Sequence, residues 1–277
     1  MLYRSGMRLG SIFFYPVKST SGHEVAEAEV EPWGLAGDRR YIVVDERGEP
    51  LTAREHPIML ACAARPTGGT IELTGPHADP LLVTPGTSLV EISVWGTPVE
   101  VTDCGEDAAK WVSALIGRPA RLAWLDDPTR RPVDPAYGRP DDRVSLADGY
   151  PLLLTSTASL AQLDDWIAET AAERGEELPG PLRMRRFRPS VVVEGADEPF
   201  AEDRWRRLRI GAVEFRVVKG CDRCVLTTVD PATYVKGKEP IRTLSRHRKW
   251  DGKVWFGVNL IPDGTGVIRQ GDQVTVL

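Results

Sequence analysis

The sequence predicts a mostly β protein with a few helices, an α+β chain built in two units. Three observations predict it. Short apolar or alternating runs recur along the first 125 residues; turn signals rich in Gly and Pro separate them; and helical spacing of apolar residues is confined to a few stretches. Several short strands divided in this way point to a β-barrel or sandwich.

Taken in order, Leu9–Val17 opens the chain as a short apolar run. Glu24–Val30 alternates, placing Ala26, Ala28 and Val30 on one face and Val25, Glu27 and Glu29 on the other. Tyr41–Asp45 runs into the turn signal Glu46-Arg47-Gly48 and then Leu51. Val90–Val94 and Val99–Val101 flank Trp95-Gly96-Thr97-Pro98, a hairpin pattern. Asp103 precedes Glu106 as in a capping box, and Ala108, Trp111, Val112, Leu115 and Ile116 recur at helical spacing before Gly117 and Pro119 stop the helix. Asp126–Asp142, rich in Pro, Arg and Asp, reads as a linker or long loop and divides the chain into units 1–125 and 126–277. Beyond it, Tyr150–Leu154 reads as a strand. Ser156 caps a helix carrying Leu160, Leu163, Trp166 and Ile167 that ends near Gly175. Strands return at Val191–Val193, Leu208–Val218, Val254–Leu260 and Gln273–Leu277.

The 277 residues carry 35 Lys and Arg against 40 Asp and Glu, a net charge of −5. That balance excludes a broad footprint for nucleic acid or an anionic membrane, so any basic cluster must be local. No apolar run approaches the roughly 18 residues needed to span a bilayer. The N-terminal stretch lacks the apolar core and cleavage pattern of a secretory leader. Both observations lead to an expected cytosolic location. Cys62, Cys104, Cys221 and Cys224 are too few and too scattered for a disulfide framework.

The sharpest local feature is Gly220-Cys221-Asp222-Arg223-Cys224-Val225-Leu226-Thr227-Thr228-Val229-Asp230-Pro231. Four readings stand beside one another. A structural zinc site would want two further ligands, and His247 is the one histidine downstream. A thioredoxin-like pair would sit at a helix start, which the β-branched residues after Cys224 disfavour. Two thiols without chemistry is the plainest reading. The fourth is a single thiolate on one soft, redox-active metal, with Arg223 favouring ionisation of Cys224. Three cations stand beside turns: Lys18 in Tyr15-Pro16-Val17-Lys18-Ser19, Arg39 in Gly37-Asp38-Arg39-Arg40, and Arg188 in Phe187-Arg188-Pro189-Ser190. Singly they read as solvated surface charges; converging, they would suit a phosphate.

YPVKS, GDRR, LADGYPLLL, FRPS, CDRCVLTTVDP and WFGVNL occur in that order from the N-terminus to Leu260. In this the chain resembles the two-part MOSC family, with an N-terminal MOSC β-barrel domain and a C-terminal MOSC β-barrel domain, to which the mitochondrial amidoxime-reducing component belongs. The resemblance implies a molybdopterin molybdenum cofactor with the metal on Cys224, the catalytic ligand, and Cys221 as a neighbour. It implies that Lys18, Ser19 and Arg39 bind the pterin phosphate and adjoining groups, that Asp148, Gly149 and Tyr150 lie against the pterin, and that Arg188 and Ser190 form a further binding pair. Asp222, Arg223 and Asn259 would flank the metal. Ser190 stands where the family usually has Asn, and Asn259 where the animal relatives have Tyr. A hydroxyl has fewer hydrogen-bonding positions than an amide. The implied activity is reduction of small N-hydroxylated compounds, amidoximes and hydroxylamines, by oxygen-atom abstraction.

The chain carries no cysteine cluster for an iron–sulfur domain, so the resemblance also implies a separate electron-donor protein of ferredoxin or flavoprotein type. Arg204, Arg206, Arg207 and Arg209 near Trp205 would dock an acidic partner, or are alternating exposed charges on a strand. Asp230 would relay protons, or is the aspartate of a turn before Pro231. Three rival functions remain: a carrier of the cofactor or of sulfur without reductase activity, a structural binding module whose cofactor site has decayed, and a CxxC redox protein that needs no metal.

Overall fold

The computed structural model describes residues 6–277; the first five residues of the stretch read for a leader lie outside them. The strand Lys253–Pro262 is buried along most of its length, with Phe256, Val258, Leu260 and Ile261 inaccessible to solvent. A strand apolar on both faces belongs in the middle of a sheet covered on both sides. It pairs antiparallel with Val213–Asp222 on one side and with Leu152–Ser156 on the other. Leu152–Ser156 runs parallel to Val191–Glu194, and helix α2 (Thr157–Arg174) lies in the connection between them, as a parallel pair requires. Val191–Glu194 then takes Arg8–Phe14 from the other end of the chain, which in turn takes His23–Val25. Arg207–Ile210 and Val274–Val276 complete the far edge, and Lys249–Trp250 pairs with the central strand beside the main path.

Three smaller sheets surround this one: Tyr41–Val44, Arg121–Trp124, Thr97–Asp103 and Leu89–Val94 in that order; Gly266–Arg269, Glu27–Glu31 and Gly34–Leu35; and Ala63–Thr67, Thr70–Gly75 and Ala78–Val83. Among the described residues the protein is thus mostly β with three α-helices, and its strand orders are open paths. One core gathers Leu9, Ile12, Val30 and Leu35 with Leu154, Phe215 and Val258, so residues from both sides of position 125 share it. A second packs Trp111, Val112 and Leu115 of α1 (Gly105–Ile116) on Met59, Ile71 and Leu73.

Several elements differ from the sequence reading for local reasons. The alternating run Glu24–Val30 breaks at Ala26, because His23–Val25 pairs with Arg8–Phe14 while Glu27–Glu31 joins Gly266–Arg269. Leu208–Val218 is a hairpin, not one strand; Gly211 takes φ +56 in its turn and Ile210 faces Val213. The hairpin near Trp95 turns on two residues, Trp95 and Gly96, both with positive φ, as a type I′ turn demands. At α1 the Asp103 carboxylate accepts from Gly105 N at 2.7 Å, but Glu106 pairs with Arg121, so no reciprocal capping box forms. Ser156 does cap α2, accepting from Ser159 N at 3.1 Å, and Gly175 ends it in the left-handed region. Helix α3 (Ile241–His247) has no counterpart in the sequence reading; its Arg246 and Arg248 obscure a one-turn apolar stripe of which Leu244 is the buried member.

Candidate active site

Three residues of the site hold backbone conformations that side-chain-bearing residues seldom adopt: Ser19 at φ 66°, Arg39 at φ 47° and Arg188 at φ 53°. Such conformations cost on the order of 1–3 kcal/mol each and persist where surrounding bonds over-determine them. The bonds are present. Lys18 N donates to Tyr41 O at 2.8 Å, Arg39 N to Tyr15 O at 2.7 Å, and Arg188 N to Arg185 O at 3.1 Å. These backbones turn Lys18, Arg39 and Arg188 toward one cleft of about 800 Å³, open to solvent.

Every residue nominated for cofactor binding lines this cleft: Lys18, Ser19 and Arg39; Asp148, Gly149 and Tyr150; Arg188 and Ser190; Asp222, Arg223 and Cys224; and Asn259. They come from loops at the ends of strands in both halves of the chain. Two further cations line it that the sequence reading missed, Arg54 and Arg186. Arg186 belongs to the arginine-rich segment 183–188, a signal present in the sequence; Arg54 follows Thr52-Ala53 without any distinguishing pattern.

The cations are held, Lys18 and Arg39 buried and Arg188 half-buried. Lys18 Nζ donates to Leu146 O at 2.9 Å and to Asp148 Oδ1 at 2.5 Å. Burial lowers its pKa to about 8, against the opposing pull of Asp148. The Asp148 carboxyl feels desolvation, but Lys18 outweighs it and keeps the group below the ordinary carboxylate range. Arg39 pairs with buried Asp38, and it donates to Arg188 O at 3.0 Å and to Ser190 Oγ at 3.3 Å. Burial raises the Asp38 pKa even with Arg39 alongside; its Oδ1 accepts from Tyr15 N at 2.7 Å. The Tyr15 ring sits between two guanidiniums, Arg39 at 4.3 Å and Arg188 at 4.4 Å from its centroid. Arg188 donates to Thr20 O at 2.6 Å, and burial pushes it down to about 10.

The two cysteines have different surroundings. Cys221 is half-buried, accepts from Arg223 Nη1 at 2.9 Å, and has its pKa raised by burial, which Arg223 offsets in part. Arg223 therefore serves Cys221 and the Phe187 carbonyl, at 2.6 Å, in place of the expected pairing with Cys224. Cys224 is exposed, at the start of the 3₁₀ turn Val225–Thr228, and its sulfur has no hydrogen-bond partner among the described residues. No group of three or more His, Cys, Asp or Glu residues able to hold a metal occurs among the described residues. The cleft thus offers one free thiol, buried positive charge, and two Nε–H donors, of Arg54 and Arg223, that are buried without a partner. An anionic ligand rich in acceptors, with a metal that takes a single thiolate, matches that donor set.

Two other nominated features lie apart from this chemistry. Asp230 accepts from Ala232 N, Thr233 N and Arg186, and burial, which alone would raise its pKa, is outweighed by these donors; it is the turn aspartate. Arg204 pairs with Glu198, and Arg207 with Glu214, away from the cleft.

A protein with this fold and cleft is a two-part MOSC protein. The MOSC N-terminal beta barrel domain model matches residues 6–119 and the MOSC domain model residues 141–275; the chain belongs to this family. It is 35% identical to mitochondrial amidoxime-reducing component 1 of Homo sapiens, over 97% of this chain and 82% of that protein. It is 32% identical to mitochondrial amidoxime reducing component 2 of the same organism, over 96% and 82%. Molybdenum cofactor sulfurase of Danio rerio is also 35% identical, over 92% of this chain but 32% of that much longer protein. These names overturn the expected cytosolic location: the amidoxime-reducing relatives are named mitochondrial. The criteria behind that expectation, a secretory pattern and a spanning run, do not distinguish cytosol from mitochondria. No helix among the described residues is long and apolar enough to cross a membrane.

Proposed function

We propose that this protein is a molybdenum-cofactor-dependent reductase of N-hydroxylated compounds, amidoximes and hydroxylamines, with Cys224 as the protein ligand of the metal. The observation that supports it is the exposed, unbonded Cys224 thiol on the wall of a cleft whose charged groups are mostly cations, Lys18 and Arg39 among them buried. A MOSC domain, with relatives named for this cofactor and for amidoxime reduction, indicates molybdenum cofactor binding.

Lys18, Arg39 and Arg188, with Ser19 and Ser190, would hold the phosphate and its neighbouring edges. The loop Asp148–Tyr150 would lie against the pterin, and Asp222, Arg223 and Asn259 would flank the metal end. Arg54 and Arg223 keep buried Nε–H groups for such a ligand. When bound, the cofactor supplies the two-electron chemistry that removes oxygen from an N-hydroxyl group. The chain's own residues orient and insulate. Asp148 stays ionised and fixes Lys18, the Arg223 bond keeps Cys221 turned from the open thiol, and Asn259 is anchored through its amide to Gly220 O at 3.2 Å. Electrons come from a separate donor protein of ferredoxin or flavoprotein type.

The test is molybdenum content per chain after expression in a cofactor-producing host. The parent and Cys221→Ser are expected to hold near-stoichiometric metal and Cys224→Ser almost none. Loaded parent should then reduce benzamidoxime with a reduced viologen dye. Metal retained by Cys224→Ser would sink the ligand assignment. A second reading, a carrier of cofactor or sulfur, is favoured by the likeness to the sulfurase; loaded protein that reduces no N-hydroxy compound would establish it over the first.

A further inference from the structure

A second chamber adjoins the cofactor cleft and shares Arg186 and Arg188 with it. It has about 600 Å³ of free space. Arg183 and Arg185 add two more guanidiniums from the same segment, and Tyr15 closes one side. Leu226 and Val229 supply apolar wall. Among the described residues one carboxylate forms an ion pair with these four cations, Asp230, at 2.6 Å from Arg186. Arg185 and Arg188 donate to the neutral carbonyls of Gly22 and Thr20, and Arg183 has no ion-pair partner there. The chamber is therefore net positive, its charge offset only in part by Asp230 and, at Arg188, by Asp148 and Asp38.

A second, independent feature points the same way. Tyr15 is 2% exposed, and its hydroxyl has no hydrogen-bond partner among the described residues. Buried hydroxyls are normally bonded, and leaving one unmet costs about 1–3 kcal/mol. Its ring is fixed between Arg39 and Arg188, and Gly22 presses on the ring edge so closely that a Cβ there would stand 2.3 Å from it. The hydroxyl is thus a buried donor in want of an acceptor, on a residue that lines the chamber.

We propose that this chamber is an anion-binding subsite for a phosphate group, taken by the guanidiniums of Arg183, Arg185 and Arg186 with the Tyr15 hydroxyl. A tetrahedral oxyanion offers acceptors in several directions, matching planar forks converging from one segment and a phenol from the side. The apolar wall lowers the local dielectric and strengthens those bonds. The occupant is inorganic phosphate from solution; the phosphate of the cofactor belongs to the neighbouring cleft, with Lys18 and Arg39. The subsite does not rest on the reductase reading, since it is read from binding alone.

The experiment is calorimetric titration of inorganic phosphate, at low ionic strength, into cofactor-loaded and cofactor-free protein. The variants are Arg183→Ala/Arg185→Ala and Tyr15→Phe, the latter removing one oxygen and leaving the ring in place. Saturable binding to the parent, weakened at least tenfold in the double variant and measurably in Tyr15→Phe, is the expected result. Binding to both forms supports the subsite; binding to the cofactor-free form alone places the anion in the cofactor cleft and overturns it. No saturable binding in either form, or binding indifferent to the double variant, overturns the proposal.

Discussion

Lys18 shows how burial tunes a single charge. An ammonium normally titrates near 10.5, but here burial lowers it to about 8, so its charge is lost within an accessible pH range. The sign for stability follows from proton counts. Between about 8 and 10.5 the unfolded chain holds a proton on Lys18 that the folded chain has released, so this group makes the cofactor-free protein more stable as pH rises through that window. Binding of an anion has the opposite sign, because it needs the ammonium. Affinity for the cofactor is therefore expected to fall roughly tenfold from pH 7 to pH 9, and Lys18→Met to remove most of that dependence. Titration at the two pH values in parent and variant checks it. The two cysteines make the same point by contrast. Identical side chains three positions apart differ because one is half-buried under a guanidinium and the other is exposed at a turn, which is why the paired serine variants separate their roles.

Among the elements, the central strand Lys253–Pro262 ties the site to the sheet. It carries Asn259, which anchors to Gly220 O, and the register of its pairing with Val213–Asp222 shifts twice just before the Cys221 segment leaves the sheet. Such irregularities re-aim side chains beside functional sites. Gly257 sits in this strand at φ +78, and a Cβ there would stand 2.6 Å from Leu154 O, a backbone atom that cannot step aside. Gly257→Ala is therefore expected to cost more than about 1 kcal/mol, seen as a lowered midpoint in thermal denaturation, and to lower cofactor retention through displaced Asn259. An unchanged midpoint would mean that the strand relaxes and does not fix the site.

For the whole molecule, the largest sheet joins Arg8–Phe14 to Val191–Glu194, and the core beneath it needs Leu9, Ile12, Val30 and Leu35. Each such side chain contributes about 1.5–3 kcal/mol when buried, so together the four are comparable to the usual net stability of a folded domain, about 5–15 kcal/mol. Residues 126–277 expressed alone are expected to lack a cooperative unfolding transition, and mixing them with residues 1–125 to restore one. The same closure brings Lys18 and Arg39 from one half onto Arg188 and Cys224 from the other. By itself the sequence determined the β class, the capped helix α2, a hairpin around Trp95–Pro98 and the residue types of the site, because period, caps and turn chemistry act over a few neighbouring residues. It did not determine that the run at Glu24–Val30 changes sheets, that α3 exists, that Arg223 bonds Cys221 instead of Cys224, or that Arg54 and Arg186 join the cleft. Those depend on contacts between residues up to 246 positions apart, made when separate segments meet over one sheet, and no local pattern carries that information.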